Sequence, residues 1–307
     1  MRSSTALICA LATLPLFIGA PVAARTLDLA NPADVLEIAK RAQCGEADGQ
    51  AAVYHWSGNV YSRVQGEPDR LLFRGEGMNI RQCTSVTDPQ RGQGWRMVSR
   101  EIMLFLDPAT GEVVRRWNNP WTGETVEVLH IANDPVNQRP SFERNADGVP
   151  FAVPSLRREG QWLFMPFEVP LFYTNPLGGD YQDYVGNKYH AMEIFDFTMN
   201  AAEALDASKS TAYPSVAWVR LSDWMPWMKM RGRQGQMVFN AMGSKLPGGF
   251  ADLPDVLKRE IAANYPEYTA PPPLDDTRPN ETTWTVFKDR VDAERAAGSS
   301  AGPHRAP

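Results

Sequence analysis

The sequence lacks the short motifs that mark most nucleotide-dependent and cofactor-dependent enzymes. It has no Gly-x-Ser-x-Gly turn, no Gly-x-Gly-x-x-Gly before a helix, no Walker phosphate loop and no Cys-x-x-Cys-His haem site. Histidine is scarce, with 4 in 307 residues, and none of them follows a zinc-binding spacing. We therefore expect neither a cofactor nor a bound metal.

The sequence also lacks an excess of basic residues. It contains 31 Lys and Arg against 36 Asp and Glu, so the net charge is -5 at pH 7. Proteins that bind nucleic acid or anionic lipid through phosphates present a basic surface. Neither kind of partner is expected here, and the sequence does not indicate an oligomeric state.

Long hydrophobic runs are missing except at the N-terminus. The run at residues 6–18 is about 13 residues long, whereas a membrane-spanning helix needs about 20. It follows Arg2 and precedes Val22 and Ala24, small residues at the positions that signal peptidases read. The pattern predicts a cleaved signal peptide over residues 1–24 and a periplasmic or secreted protein without a membrane anchor, with an uncleaved tether as the alternative.

Cysteine is nearly absent as well. Cleavage would remove Cys9 and leave Cys44 and Cys83, which lie 39 residues apart. An oxidising compartment permits a disulfide between them, and such a loop closure would stabilise the fold by roughly 3 to 4 kcal/mol. Two unpaired thiols are the competing interpretation.

What the chain does contain is a succession of runs rich in Val, Ile, Trp, Tyr and Phe, separated by turn residues. The predicted strands are residues 53–64, 70–74, 78–86, 95–106, 112–117, 124–131, 151–157, 161–172, 189–197, 215–221 and 235–246. Their order is that of an antiparallel meander. Closing such a sheet removes its exposed edges, so we expect a mainly β, lipocalin- or calycin-like barrel with a few peripheral helices, and a two-sheet sandwich as the alternative.

Helical patterns are few and lie near the ends of the chain. They cover residues 32–42, 253–264 and 282–297, and a Pro-rich stretch at 269–279 precedes the last of them. We expect a β domain over residues 25–268, a Pro-rich linker and C-terminal helix over 269–297, and a disordered tail over 298–307. The linker would let the last helix pack on the domain or reach a partner protein.

Four residues are the candidate catalytic groups. His130 ends a predicted strand and precedes the polar turn containing Asp134, whose carboxylate would hold the imidazole ring and raise its pKa. Glu101 shares a strand face with Trp95 and other apolar residues, so alternation directs it inward. Arg220 would neutralise a negative charge on a ligand.

A second set of residues would line a ligand pocket. The segment around Trp224 and Trp227 is too rich in aromatics and methionine for a typical exposed loop, so it either caps the core or walls an apolar pocket. Glu76 lies between Gly75 and Gly77, which predict either a bend that aims the carboxylate or a plain hairpin corner. The remaining candidates are Trp218, His55, His190 and Lys245.

Several short motifs occur along the chain: Gly75-Glu76-Gly77-Met78-Asn79, Ser99-Arg100-Glu101, Asp107-Pro108 with Thr110-Gly111-Glu112, Trp117 with Asn119-Pro120 and Thr122-Gly123-Glu124, His130, Asn133-Asp134-Pro135-Val136-Asn137, and residues 224–228. Taken together, these motifs resemble a bacterial family known as the domain of unknown function 1838. The similarity covers roughly residues 36–288, and the family implies no activity and no catalytic residues.

These patterns favour a cofactor-independent lyase, isomerase or hydratase that acts on a small apolar or aromatic molecule. His130 and Glu101 would transfer protons and Arg220 would stabilise an anion. A periplasmic carrier that binds an apolar ligand without chemistry is the alternative from another class. A third is an interaction module that uses residues 269–307 to dock a partner.

Overall fold

A computed structural model describes residues 25–178, 181 and 188–300. The side chains of residues 173, 188 and 298–300 are not part of that description. The predicted signal peptide and residues 301–307 of the predicted tail therefore lie outside the described residues.

The described chain is mainly antiparallel β-sheet with a few helices, as predicted. The strands are β1 (Ala52–Arg63), β2 (Arg70–Asp88), β3 (Gly92–Leu106), β4 (Arg116–Asn118), β5 (Thr125–Glu127), β6 (Ile131–Asn133), β7 (Ser141–Phe142), β8 (Arg157–Glu159), β9 (Trp162–Thr174), β10 (Lys188–Asn200), β11 (Ser215–Ser222) and β12 (Gln236–Lys245). The α-helices are α1 (Pro32–Gln43), α2 (Ala201–Ala204), α3 (Asp255–Asn264) and α4 (Thr283–Ser300). Short 3-10 helices lie at Pro226–Met228, Gly249–Asp252 and Pro266–Thr269.

Ten strands form one sheet in the order β6-β3-β2-β1-β12-β11-β10-β9-β8, with β7 beside β3, and β4 and β5 form a separate hairpin. The rings of Phe105 on β3 and Phe239 on β12 are 6.4 Å apart. Three strand spacings separate them, about 14 Å in a flat sheet, so the sheet is strongly curved. Its order is open within the described residues, and the predicted closure into a barrel is not confirmed.

Strand alternation gives the sheet an inner and an outer face. The inner face carries two apolar clusters, one around Phe73, Phe105 and Trp227, the other around Tyr54 and Met165. Trp56 packs against both clusters. The candidate functional site around Glu101 lies on this face.

The outer face of β1, β2 and β3 is covered by α3. Ile80 and Leu104 from the sheet pack against Leu257 and Ile261 from the helix, and all four are fully or almost fully buried. Apolar residues on both faces of the central strands explain why these strands read as nearly continuous hydrophobic runs.

Helix α1 begins where the sequence provides a cap. The Asn31 side chain accepts a hydrogen bond from the Ala33 amide, and Pro32 occupies the first helical position. The helix ends at Gln43, and the next residue, Cys44, forms a disulfide with Cys83 on β2. The disulfide thereby joins α1 to the inner face of the sheet.

The C-terminal segment packs on the domain. The carbonyls of Pro272 and Leu274 accept hydrogen bonds from Gln82 and Arg96, so the Pro-rich linker lies along β2 and β3. Trp284 of α4 is 1 % exposed, and its ring lies 4.2 Å from that of Tyr189 on β10. Within the described residues no helix combines the length and hydropathy needed to cross a membrane.

Several predicted strand boundaries were wrong. The strands expected at 70–74 and 78–86 are one continuous strand, β2, with Gly75 and Gly77 in its interior. The strand expected at 124–131 is divided into β5 and β6, and little of 112–117 and 151–157 is extended in the sheet. A glycine in a hydrophobic run predicts the end of a strand, whereas Gly75 and Gly77 lie inside β2 and make room for side chains on the inner face.

Candidate functional site

Glu101 projects from the middle of β3 onto the inner face, as alternation predicted. The adjacent strand β6 places Asn133 opposite it, and the Asn133 amide donates a hydrogen bond of 2.9 Å to Oε1 of Glu101. Burial, reinforced by the nearby Glu193 carboxylate, raises the pKa of Glu101 above its ordinary value, although Asn133, Arg220 and Arg81 oppose the shift. Glu101 therefore holds a proton more readily than an exposed glutamate.

Glu101 and Asn133 form one side of a group of polar side chains that we call the inner polar cluster. Arg220, with Glu193 and Tyr189, forms its other side. Nη1 of Arg220 donates to Oε1 of Glu193 at 3.0 Å, and its Nη2 donates to the hydroxyl of Tyr189. Burial alone would lower the pKa of Arg220, but the charges of Glu193, Tyr189 and Glu101 outweigh it and raise that pKa. A fixed guanidinium cation thus faces a carboxyl group with altered proton affinity.

Several buried polar atoms on this face have no hydrogen-bond partner within the described residues. Besides Nε1 of Trp95 and of Trp227 in the apolar clusters, they include Nε1 of Trp56, Nε1 of Trp218, Nε of Arg220 and Oδ1 of Asn133. The Trp56 and Trp218 rings are 6.1 Å apart. Buried polar groups are nearly always paired, so a group of unpaired ones calls for an explanation such as a ligand or ordered water.

Gly77 makes room for the Trp56 indole. A Cβ atom at Gly77 would lie 2.5 Å from both Cε2 and Nε1 of Trp56, and one at Gly75 would lie 2.1 Å from the methyl group of Met103. Both glycines point to the inner face, and Glu76 between them points outward. The Gly-Glu-Gly motif therefore sets the position of an inner-face tryptophan, and the bend and the hairpin corner predicted from it are both wrong.

His130 lies in a different environment from Glu101. The Phe105 amide donates to Nδ1 of His130 at 3.1 Å, and the two rings stack. Phe105 is four residues along β3 from Glu101, about 14 Å at the usual rise. Burial and the Arg115 cation lower the pKa of His130 to about 4, and Glu260 opposes them. The expected proton-transfer pair of His130 and Glu101 is not formed.

Protonation of His130 gives a testable pH dependence. In the unfolded chain the imidazole takes up its proton near pH 6.5, whereas in the folded protein it does so only near pH 4. Its contribution, about 3 kcal/mol, is therefore complete above pH 6.5 and lost as the pH falls toward 4. We expect chemical unfolding at pH 7 and pH 4.5 to show a larger loss for the wild type than for His130→Gln. Equal losses would contradict the assignment.

Asp134 does not hold the His130 ring. Its carboxylate forms ion pairs with Arg100 at 3.2 Å and Arg278 at 2.9 Å. The pKa of His130 is lowered, so the increase that a carboxylate contact would cause is also absent. The expected contact was wrong because the peptide turns at Asp134 toward the outer side of β3, where these two arginines lie.

The outer face carries three of the predicted ligand residues. Nε2 of His55 contacts Oε1 of Glu76, which also lies 3.7 Å from Arg74. His190 is exposed, and its amide donates to Asp223. These residues are on the opposite side of the sheet from Glu101, so the inner site does not include them.

Lys245 caps the end of α1. Its Nζ donates to the carbonyls of Arg41 and Cys44 and to the hydroxyl of Thr211. Burial, together with the Arg81 charge, lowers its pKa to about 7. Three acceptors nevertheless match the three ammonium protons, which is the arrangement of a structural cation at a helix C-terminus.

The tryptophan-rich segment belongs to the core. Trp227 is 1 % exposed and packs on Phe73 and Phe105. Trp224 donates from Nε1 to the carbonyl of Arg233 and packs on Trp121. Of the two interpretations of this segment, a cap on the core and a wall of an apolar pocket, the structure supports the cap. Of the three predicted tryptophans, Trp218 is the one that lies on the same strand and face as Arg220.

Sequence reasoning missed several members of this cluster. Arg81, Asn133, Glu193 and Tyr189 were not singled out, and neither was Trp56. They follow the same alternation that directed Glu101 inward, since Asn133 pairs with Glu101, Glu193 with Arg220 and Trp56 with Gly77 across the sheet. Extending the alternation across paired strands would have identified them, but the pairing of β1 with β12 is not visible in the sequence.

The fold and site define an antiparallel β protein with a buried polar cluster on the inner face of a curved sheet. The chain belongs to the family described as protein of unknown function (DUF1838), whose model matches residues 49–291. This confirms the family resemblance. No curated protein and no solved structure matches the chain significantly.

Proposed function

We propose that the chain is a cofactor-independent enzyme of the lyase, isomerase or hydratase kind, with its reaction centre in the inner polar cluster. The observation that carries the proposal is the set of unpaired buried atoms on Trp56, Trp218, Arg220 and Asn133, on the same face of the sheet as Glu101. A ligand that accepts hydrogen bonds from the three N–H groups and offers one donor would satisfy all four atoms.

Glu101 is the proposed proton-transfer group. A general base or acid works best when its pKa lies near the working pH, and burial moves the pKa of Glu101 upward, in that direction. Arg220, held in place by Glu193 and Tyr189, would stabilise an anion that forms on the substrate. His130 has no place in this centre.

The proposed substrate is small and largely apolar or aromatic. Trp56, Trp218 and Phe195 line the same face, and the Phe195 and Trp218 rings are 6.4 Å apart. The same aromatic surface favours the second candidate function, a carrier that holds an apolar ligand unchanged.

Barrel-like enclosure of the site is part of the proposal. The Glu193 carboxylate on β10 helps to raise the pKa of Glu101 on β3, although five strand spacings, about 24 Å in a flat sheet, separate their strands. The curvature of the sheet brings the inner faces of β3 and β10 toward each other, and this supports an enclosed interior. Export to the periplasm or outside the cell is also proposed, from the N-terminal pattern and the disulfide.

The proposal is tested with the purified full chain exposed to a cell extract and examined by native mass spectrometry. We expect a retained small molecule, and Gly77→Ala should weaken its retention about tenfold or more because the new methyl group displaces Trp56. Ser57→Ala, which lies on the outer face opposite Glu76, is the control and should retain the molecule. Conversion of the molecule identifies an enzyme, and its recovery unchanged identifies a carrier.

Equal retention by wild type and Gly77→Ala would place the ligand elsewhere and refute the inner site. Absence of any retained or converted molecule would also count against both functions.

A further inference from the structure

A groove of about 720 Å³ lies beside His130, apart from the inner cluster. The β4–β5 hairpin forms one wall, the end of α3 with Tyr265 forms another, and Arg290 of α4 reaches the rim. Three separate elements thus surround a space large enough for a small molecule.

His130 lines this groove and holds a buried hydrogen-bond donor in its wall. The Phe105 amide donates to Nδ1, so Nδ1 must carry a lone pair and the proton of the neutral ring resides on Nε2. Nε2 is buried and has no partner within the described residues, and the His130 side chain lines the groove. The site therefore offers a fixed N–H group that lacks an acceptor.

Ion pairs of the described residues account for all but one of the arginines that line the groove. Glu260 binds Arg115 through two hydrogen bonds of 2.6 and 2.5 Å, and Glu127 and Glu294 both pair with Arg290. Arg116 also lines the groove and forms no ion pair within the described part of the chain. One arginine thus remains available to a ligand after the others are paired.

We propose that this groove is a second binding site, which takes a small ligand through an oxyanion, either a carboxylate or a phosphate group. The oxyanion accepts from Nε2 of His130 and pairs with Arg116. Arg115 and Arg290, already neutralised by Glu260 and Glu127, orient the walls and add hydrogen-bond donors.

The test uses the full chain with ¹⁵N-labelled histidine, titrated at constant ionic strength with citrate in one arm and inorganic phosphate in the other. We expect the Nε2–H signal of His130 to shift saturably in at least one arm, and the arm identifies the preferred group. Arg116→Gln should weaken that binding about threefold or more, a typical effect for a partly exposed charge pair.

Arg158→Gln is the control, because Arg158 is an exposed arginine on β8 at the other end of the sheet. It should leave the dissociation constant unchanged. Arg116 is itself exposed, so its replacement is not expected to disturb folding. The proposal is overturned if neither anion shifts the His130 signal saturably, or if Arg116→Gln binds as tightly as the wild type does.

Discussion

Replacing Glu101 by Gln is expected to lower kcat about 10²- to 10⁴-fold, the usual contribution of a general acid or base. Glutamine keeps the size of the side chain and its capacity to accept the hydrogen bond from Asn133. It removes the ionisable proton and the negative charge of the carboxylate. Substrate binding should change much less than kcat, because the aromatic contacts and Arg220 remain.

The measurement is steady-state kinetics on the molecule converted in extract, with Glu203→Gln as the matched control. Glu203 is an exposed glutamate in α2, away from the inner cluster, so its replacement should leave kcat unchanged. If Glu101→Gln turns over substrate at the wild-type rate, Glu101 is not the proton-transfer group.

The pH profile of the wild type provides a second readout. When Glu101 acts as the base, activity falls as the pH drops through its pKa, and burial places that pKa above the ordinary value of 4.5. Because a raised carboxyl pKa favours the protonated form in the folded state, the charged form of Glu101 destabilises the fold at higher pH. Glu101→Gln should therefore lose activity without losing stability at pH 7, a combination that a purely structural glutamate would not give.

The sequence predicted the parts of this site that depend on local periodicity. The inward orientation of Glu101 followed from the alternation of β3, and the strands 53–64, 95–106 and 161–172 match β1, β3 and β9 closely. The three longer helices were also located to within a few residues. These features depend on neighbours in sequence, which the pattern records.

Features that depend on neighbours in space were not predicted. The sequence pattern predicts a common interior for His130 and Glu101, but the ring of His130 is held at the edge of β3 by the Phe105 amide. Arg220 reaches the cluster because β11 pairs with β12 and β12 pairs with β1, a connection across more than 150 residues of chain. Strand order and sheet curvature decide such contacts.

Glycine shows the same limit at a single position. A glycine inside a run of β-formers indicates a bulge, a bend or a close approach, and the sequence does not distinguish them. At Gly77 the close approach of the Trp56 indole is the reason. To choose among a bulge, a bend and a close approach, one must know which side chain of the paired strand lies against the glycine.

Removal of the disulfide is expected to have the largest effect on stability. Cys44 and Cys83 are each 1 % exposed, and their bond closes a loop of 39 residues. The loop-entropy account gives a loss of about 3 to 4 kcal/mol when both are replaced by Ser. At about 2 to 4 °C for each kcal/mol, the melting temperature should fall by roughly 6 to 16 °C.

The effect should exceed that of an ordinary surface cross-link because of what the bond joins. It attaches the end of α1 to β2, and the apolar face of α1 covers one of the two inner-face clusters. Without the bond, α1 is held by its packing and by Lys245, whose Nζ donates to the Cys44 carbonyl.

Calorimetry of the wild type with and without reductant, compared with the Cys44→Ser/Cys83→Ser variant, measures the change in melting temperature. Reductant should lower the melting temperature of the wild type toward that of the variant and leave the variant unchanged, whereas a wild type insensitive to reductant under unfolding conditions would show that the bond does not form.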